Sequence, residues 1–146
     1  MNKDNKLIFE AYLESTEQQP VMTTNKYGDK QWMLNGQLHR LDGPAVEDID
    51  GFKEWWVNGE RHREGAPAIT YPGSEEWYKN GKMHRIDGPA AVYGNGDMHW
   101  YVDGKLYSDK KNWACAALEH QGKPADPDSV ENYLRTILQK QTKDLI

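Results

Sequence analysis

Three histidine–arginine pairs recur along the chain, His39-Arg40, His62-Arg63 and His84-Arg85. Histidine can ligate a metal or carry a proton, and the planar guanidinium can grip a carboxylate or a phosphate. Spacing argues against a metal shared along the row. Each pair belongs to a unit of two expected strands, so equivalent residues lie about 10 Å apart at ~4.8 Å per strand. Ligands of a single zinc must each lie ~2.0–2.1 Å from it. No metal site is expected, and each imidazole should donate to a loop carbonyl or pack on a neighbouring Trp or Pro. Arg40 and Arg85 are followed two residues on by Asp42 and Asp87. A loop ion pair is the plain reading, and such a pair contributes ~0–1 kcal/mol if exposed. The sharper reading is a row of Arg40, Arg63 and Arg85 facing an acidic partner or a phosphate. Arg63 lacks the Asp and is expected to be the free guanidinium.

Nothing assembles a nucleophile with a base. Cys115 is the one cysteine, so there is no internal disulfide and no Cys-based metal site. It sits in Trp113-Ala114-Cys115-Ala116-Ala117, which reads as helix, where a buried and inert thiol is expected. His120, five residues on, does not sit directly over it on a helix. There is no Gly-x-Ser-x-Gly, phosphate loop or Cys-x-x-Cys. The expectation is a non-enzyme with no catalytic residues and no cofactor.

The elements that must position these residues are repeats. Trp32, Trp55, Trp77 and Trp100 are spaced by 23, 22 and 23 residues, and each precedes Asn-Gly or Asp-Gly by three. Those pairs accept the left-handed conformation at both turn positions, the strongest short hairpin signal. A second turn precedes three of the Trp strands, at Asp50-Gly51, Pro72-Gly73 and Asn95-Gly96. His-Arg-x-Asp-Gly-Pro-Ala follows the first and third hairpins, and His62-Arg63-Glu64-Gly65-Ala66-Pro67-Ala68 follows the second. The fourth unit has Tyr107 and Ser108 at the His and Arg positions, as befits a terminal repeat.

Strand alternation sorts the rings onto two faces. The four repeat Trp share one face with Leu34, Val57, Lys79 and Val102. Met33, Trp56, Tyr78 and Tyr101 point the other way. This second row is either the floor beneath a C-terminal helix or a surface for a partner, since Trp, Tyr and Arg dominate binding hot spots.

The flanks read as helix. Asn5 to Ser15 carries Leu7, Ile8, Ala11 and Tyr12 at helical spacing. Ser108 could cap a helix from about Asp109 to Gln121. Asp126-Pro127 reads as an N-cap with Pro at the first helical position. Val130, Tyr133, Leu134, Ile137 and Leu138 then trace an apolar stripe. The expected organisation is residues 1–26 as N-terminal helix and linker, 27–108 as a four-unit β repeat domain, and 109–146 as a C-terminal helical segment. The fold class is mainly β, an antiparallel meander of hairpin repeats. The C-terminal helices should cap an end or cover one face.

The chain has 146 residues and a net charge of −5. Its acidic excess lies in the repeats, which hold nine basic and thirteen acidic residues between 27 and 108. That disfavours nucleic acid and attraction to an anionic membrane. Six Trp and eight Tyr are too many for a solvated coil. No signal peptide and no membrane span is recognisable, so a cytoplasmic protein is expected.

The run Trp-x-x-Asn-Gly-x-x-His-Arg-x-Asp-Gly-Pro-Ala, over residues 27–108, resembles the MORN repeat in its variant form. That variant occurs in bacteriophage and giant-virus proteins and in some bacterial antitoxin-like proteins. Unit two departs from it at Gly65-Ala66, and unit four lacks the His-Arg tail. Asn5 to Tyr12 also looks like a short leader of tailed-phage proteins. The resemblance implies a scaffold or partner-binding role. The expectation drawn from both residues and resemblance is a phage-encoded inhibitor that binds a host defence or regulatory protein in the host cytoplasm. Trp56, Tyr78, Tyr101, Arg40, Arg63 and Arg85 are its expected partner-binding residues. The alternatives are a small-ligand or glycan-binding aromatic repeat, and a virion-assembly scaffold. Edge-to-edge pairing into a homo-oligomer stays open.

Overall fold

The computed structural model describes residues 18–144. The helix expected over Asn5 to Ser15 lies outside them. The strands are β1 (Val21–Thr24), β2 (Lys30–Leu34), β3 (Gln37–Leu38), β4 (Val46–Glu47), β5 (Lys53–Glu54), β6 (Trp56–Val57) and β7 (Glu60–Arg61). They continue as β8 (Ile69–Tyr71), β9 (Ser74–Glu76), β10 (Tyr78–Lys79), β11 (Lys82–Met83), β12 (Ala91–Val92), β13 (Met98–Val102) and β14 (Lys105–Tyr107). Two helices follow, α1 (Lys110–His120) and α2 (Pro127–Asp144). None of the described helices is long and apolar enough to cross a membrane.

The sheet is an antiparallel meander in the order β1-β2-β4-β5-β8-β9-β12-β13-β14. β3 pairs with β2, and the hairpins β6–β7 and β10–β11 stand beside the main sheet. This bears out the mainly β class. The sheet begins earlier than expected. β1 falls in the stretch assigned to linker, and it pairs with β2 in the register Val21↔Met33 to Thr24↔Lys30. Its alternation signal is weak because all four residues are exposed on this edge strand.

Each repeat is organised by the backbone of its Trp. The N–H groups of Trp32, Trp55 and Trp77 donate to the carbonyls of Ala45, Ala68 and Ala90, on the next strand of the sheet. Their carbonyls accept instead from His39, His62 and His84, on the return arm of their own hairpin. The strand therefore leaves the sheet at the Trp. The three Ala are fully buried, as a side chain squeezed between two Trp strands must be small. Asn35, Asn58, Asn80 and Asp103 all lie at φ of 48–51°. Together with the following Gly they close the hairpins in the expected left-handed turns.

Asp109 rather than Ser108 caps α1, its carboxylate accepting from Lys111 N at 2.7 Å. Asp126 caps α2 as expected, accepting from Ser129 N at 3.1 Å. The two helices pack on each other and on the end of the sheet. Their shared core holds Trp100, Val102, Trp113, Ala114, Ala117, Leu118, Val130, Leu134 and Ile137. The helix pair thus sits on the Trp face of the fourth unit. The second aromatic row is not its floor.

Candidate interaction face

The Trp face is closed by the histidines and arginines themselves. The guanidinium carbons of Arg40, Arg63 and Arg85 lie 3.9, 3.8 and 3.9 Å from the ring centroids of Trp32, Trp55 and Trp77. Each Nη1 donates to the carbonyl of the Pro four residues on, at 3.1–3.2 Å. Arg40 and Arg85 add Nε bonds to Asp42 at 2.9 Å and Asp87 at 2.8 Å. A cation seated on an indole and bonded to a loop carbonyl pins the loop over the sheet.

Unit two achieves the same roof without the carboxylate. A Cβ on Gly43 would come within 2.8 Å of the Arg40 guanidinium, and one on Gly88 within 2.9 Å of Arg85. Ala66 occupies that place in unit two, preceded by Gly65 at φ 71°. The left-handed glycine redirects the loop so that a methyl group is accepted there. Arg63 is therefore stacked and bonded to a carbonyl, and the expectation of a free guanidinium is corrected. Burial without a carboxylate partner pulls its pKa down.

The imidazoles also differ from expectation. Each accepts rather than donates: the backbone N–H of Asn58, Asn80 and Asp103 points at Nδ1 of His39, His62 and His84, at 3.0, 3.1 and 3.0 Å. Each of these three His thus ties its hairpin to the turn of the next one, its Nδ1 acting as the acceptor.

The opposite face carries a different set. Trp56 and Tyr78 stand there with two carboxylates that sequence inspection missed. Glu54 is 8% exposed, accepts Trp56 Nε1 at 3.0 Å and takes two bonds from Arg61 at 3.1 and 2.8 Å. Arg61, directly across the hairpin from Trp56, lies 5.0 Å from the Trp56 ring and 5.5 Å from that of Tyr78. Glu76 accepts the Tyr78 hydroxyl at 3.1 Å and the Tyr93 hydroxyl at 3.3 Å. Burial first, and then the Glu76 charge, push Tyr78 up to about 12. The same two causes raise Tyr93.

Cross-strand register extends this face. Glu54 pairs with Ile69, Ile69 with Glu76, Glu76 with Ala91 and Ala91 with His99. By alternation Tyr71, Tyr93 and Tyr101 then point the same way as Trp56 and Tyr78. Phe52 joins them, 6.2 Å from Tyr71, and His99 meets Tyr93 edge-on at 5.5 Å. Apart from exposed His99, these rings are half-buried, and neither described helix packs over them.

The expected site residues therefore separate. Trp56, Tyr78 and Tyr101 share one face, while Arg40, Arg63 and Arg85 roof the other. Glu54 and Glu76 carried a readable signal, since each stands two residues before a ring of the second row.

No family model, no curated protein and no solved structure matches the chain.

With their acceptors filled by Tyr, Trp and Arg donors, Glu54 and Glu76 serve as anchors. They hold rings at fixed angles in an aromatic surface, and every buried side-chain polar atom among the described residues has a partner. The arrangement suits recognition by shape and ring contact.

Proposed function

We propose that this chain is a non-enzymatic protein-interaction module that docks its partner on the face bearing Trp56, Tyr78 and Tyr101. The observation that carries the proposal is the row of half-buried rings, with Trp56 and Tyr78 anchored by carboxylates, left open by both described helices. Rigid aromatic side chains give large contact area at low entropic cost, and such residues dominate binding hot spots. The partner surface should be apolar at its centre and basic at its rim, to match the acidic repeats. The repeat resemblance supports a more specific form of the proposal, a phage-encoded inhibitor that blocks or sequesters a host protein in the bacterial cytoplasm.

The test is capture from bacterial lysate at ~0.15 M salt, where surface charge attraction is largely screened. Wild-type chain should retain one protein, and a Trp56→Ala/Tyr101→Ala double variant with unchanged circular dichroism should lose it. An Arg63→Lys variant, altered on the opposite face, should keep it. A folded double variant that captures the protein undiminished removes this face from consideration. Saturable quenching of Trp fluorescence by sugars or choline, with no protein captured, would assign the rings to a small ligand instead.

A further inference from the structure

We propose that His84, Asp103 and His120 form a binding site for a single divalent transition-metal cation of the zinc class. Three elements deliver these residues: the return arm of the third hairpin, the turn of the fourth, and the last turn of α1. One ligand atom from each lies within 4.8 Å of the others, the one such group among the described residues.

The turn itself does not need the carboxylate. Asp103 sits at φ 49°, and Asn35, Asn58 and Asn80 hold the same conformation at 51°, 50° and 48°. Both residue types tolerate it. What distinguishes Asp103 is where its oxygens lie. Oδ1 is 3.1 Å from His84 Nδ1, and Oδ2 is 2.9 Å from His120 Nδ1. The two imidazole rings lie with centroids 4.5 Å apart and planes inclined at 55°.

Acceptor chemistry then asks for a cation. His84 Nδ1 already accepts the Asp103 amide, so it bears a lone pair and no proton. A carboxylate oxygen also lies 3.1 Å from the same nitrogen. A proton or a metal cation shared with the carboxylate makes that contact favourable, and only a metal would engage His84, Asp103 and His120 together. Tetrahedral ligands ~2.0–2.1 Å from one zinc stand about 3.3–3.4 Å apart. The His84 contact is with Oδ1 and the His120 contact with Oδ2, both a few tenths of an ångström shorter than that, and one donor atom from each residue lies within 4.8 Å of the others. Two imidazoles and one carboxylate suit zinc, cobalt or nickel better than calcium or magnesium. Lys79, whose charge reaches His84, is paired with Glu64 at 3.3 Å. The Asp103 amide freed by coordination lies on an exposed turn, where water can meet it.

The geometry differs from a metal shared along the histidine row. His39 and His62 face Asn turns and have no second imidazole, so only the unit beneath the cap acquires a ligand set. A bound cation would staple α1 to the last repeat and stabilise the folded chain by mass action.

The experiment is titration of the metal-stripped full chain with Zn²⁺ by calorimetry and thermal unfolding, with Co²⁺ absorption as a report on geometry. Wild type should bind one equivalent, raise its melting temperature and give the intense visible bands of a tetrahedral cobalt site. Asp103→Asn installs the residue of the other three turns, and His120→Gln changes an exposed position, so both should fold. Each should weaken Zn²⁺ by more than about tenfold. Absence of saturable binding by wild type overturns the site, and so does binding that survives both substitutions. Failure of this site leaves the aromatic face untouched, because no residue is shared between them.

Discussion

Trp113 stands edge-on to Trp100, with ring centroids 4.6 Å apart and planes inclined at 67°. It covers Trp100 as Arg40, Arg63 and Arg85 cover the other three repeat Trp, with Lys110 Nζ 5.3 Å from the same ring. Its Nε1 donates to the Arg85 carbonyl at 3.3 Å, much as an arginine of the series donates to a loop carbonyl. Tyr133 completes the substitution, stacking on Trp113 at 6.0 Å and donating its hydroxyl to the Ile86 carbonyl. The helices therefore act as the unit that would have followed the fourth repeat. An array whose repeats bury their Trp only against neighbours needs such an end.

Removing the indole should be the most damaging single change among those considered. Trp113 is fully buried in the core shared by the sheet end and both helices. Trp113→Ala should cost about 3–5 kcal/mol, as large aromatic truncations do. Urea unfolding followed by circular dichroism measures it. A loss under about 1 kcal/mol would show that the cap is not part of the cooperative core.

The loop beneath each arginine gives a second test. Gly43→Ala puts a methyl carbon against a guanidinium held by Trp32, Asp42 and the Pro44 carbonyl, and should cost about 1–3 kcal/mol. Unit two shows how the chain accommodates that methyl group, with Gly65 before Ala66. The double variant Asp42→Gly/Gly43→Ala copies it and should lose less than the sum of its two single variants. A double-mutant cycle measures the coupling, and strict additivity would contradict the account.

Legibility followed the range of the interactions. The hairpin turns were readable because Asn-Gly chemistry is local. The Asp126-Pro127 helix start was readable for the same reason. The arginine row was visible, but Asp at two residues' distance suggested a plain ion pair, and the indole beneath each guanidinium needed the folded register to appear. Capping an end was one of the two placements expected of the C-terminal helices; which ring face they take there was not readable. Trp100 and Tyr101 offer rings of similar size on opposite faces, and only the absence of an arginine after the fourth hairpin marks Trp100 as the uncovered one. Glu54 and Glu76 were lost among many carboxylates. Their donors Arg61 and Tyr93 lie 7 and 17 residues away and meet them only through strand pairing.

Tyr78 provides a spectroscopic test of the aromatic face. Its ordinary pKa of 10.0 is raised to about 12. Folding therefore keeps a proton that the unfolded chain releases, so this contribution to stability is present below pH 10 and is lost as pH rises toward 12. Ultraviolet titration should show a late-ionising phenol in the wild type that is missing from Tyr78→Phe. A Tyr78→Phe curve superimposable on the wild type would place the ring away from Glu76.

The acid limb should depend on the contact between α2 and the third loop. Burial alone would raise Asp87, but Arg85 at 2.8 Å and Lys140 at 3.3 Å outweigh it and hold the carboxyl below its ordinary 3.8. A depressed folded pKa means stability that is full above the unfolded value and is lost as pH falls through the folded one. The melting temperature should drop as the medium is acidified below pH 3.8, and Asp87→Asn should flatten that drop. Lys140→Met removes only the exposed partner and should cost at most about 1 kcal/mol at neutral pH. Arg85 keeps Trp77 beneath it in either variant, so the loop should stay seated while the pH dependence changes. A melting curve whose acid slope is identical in Asp87→Asn and wild type would assign the acid sensitivity to other carboxylates.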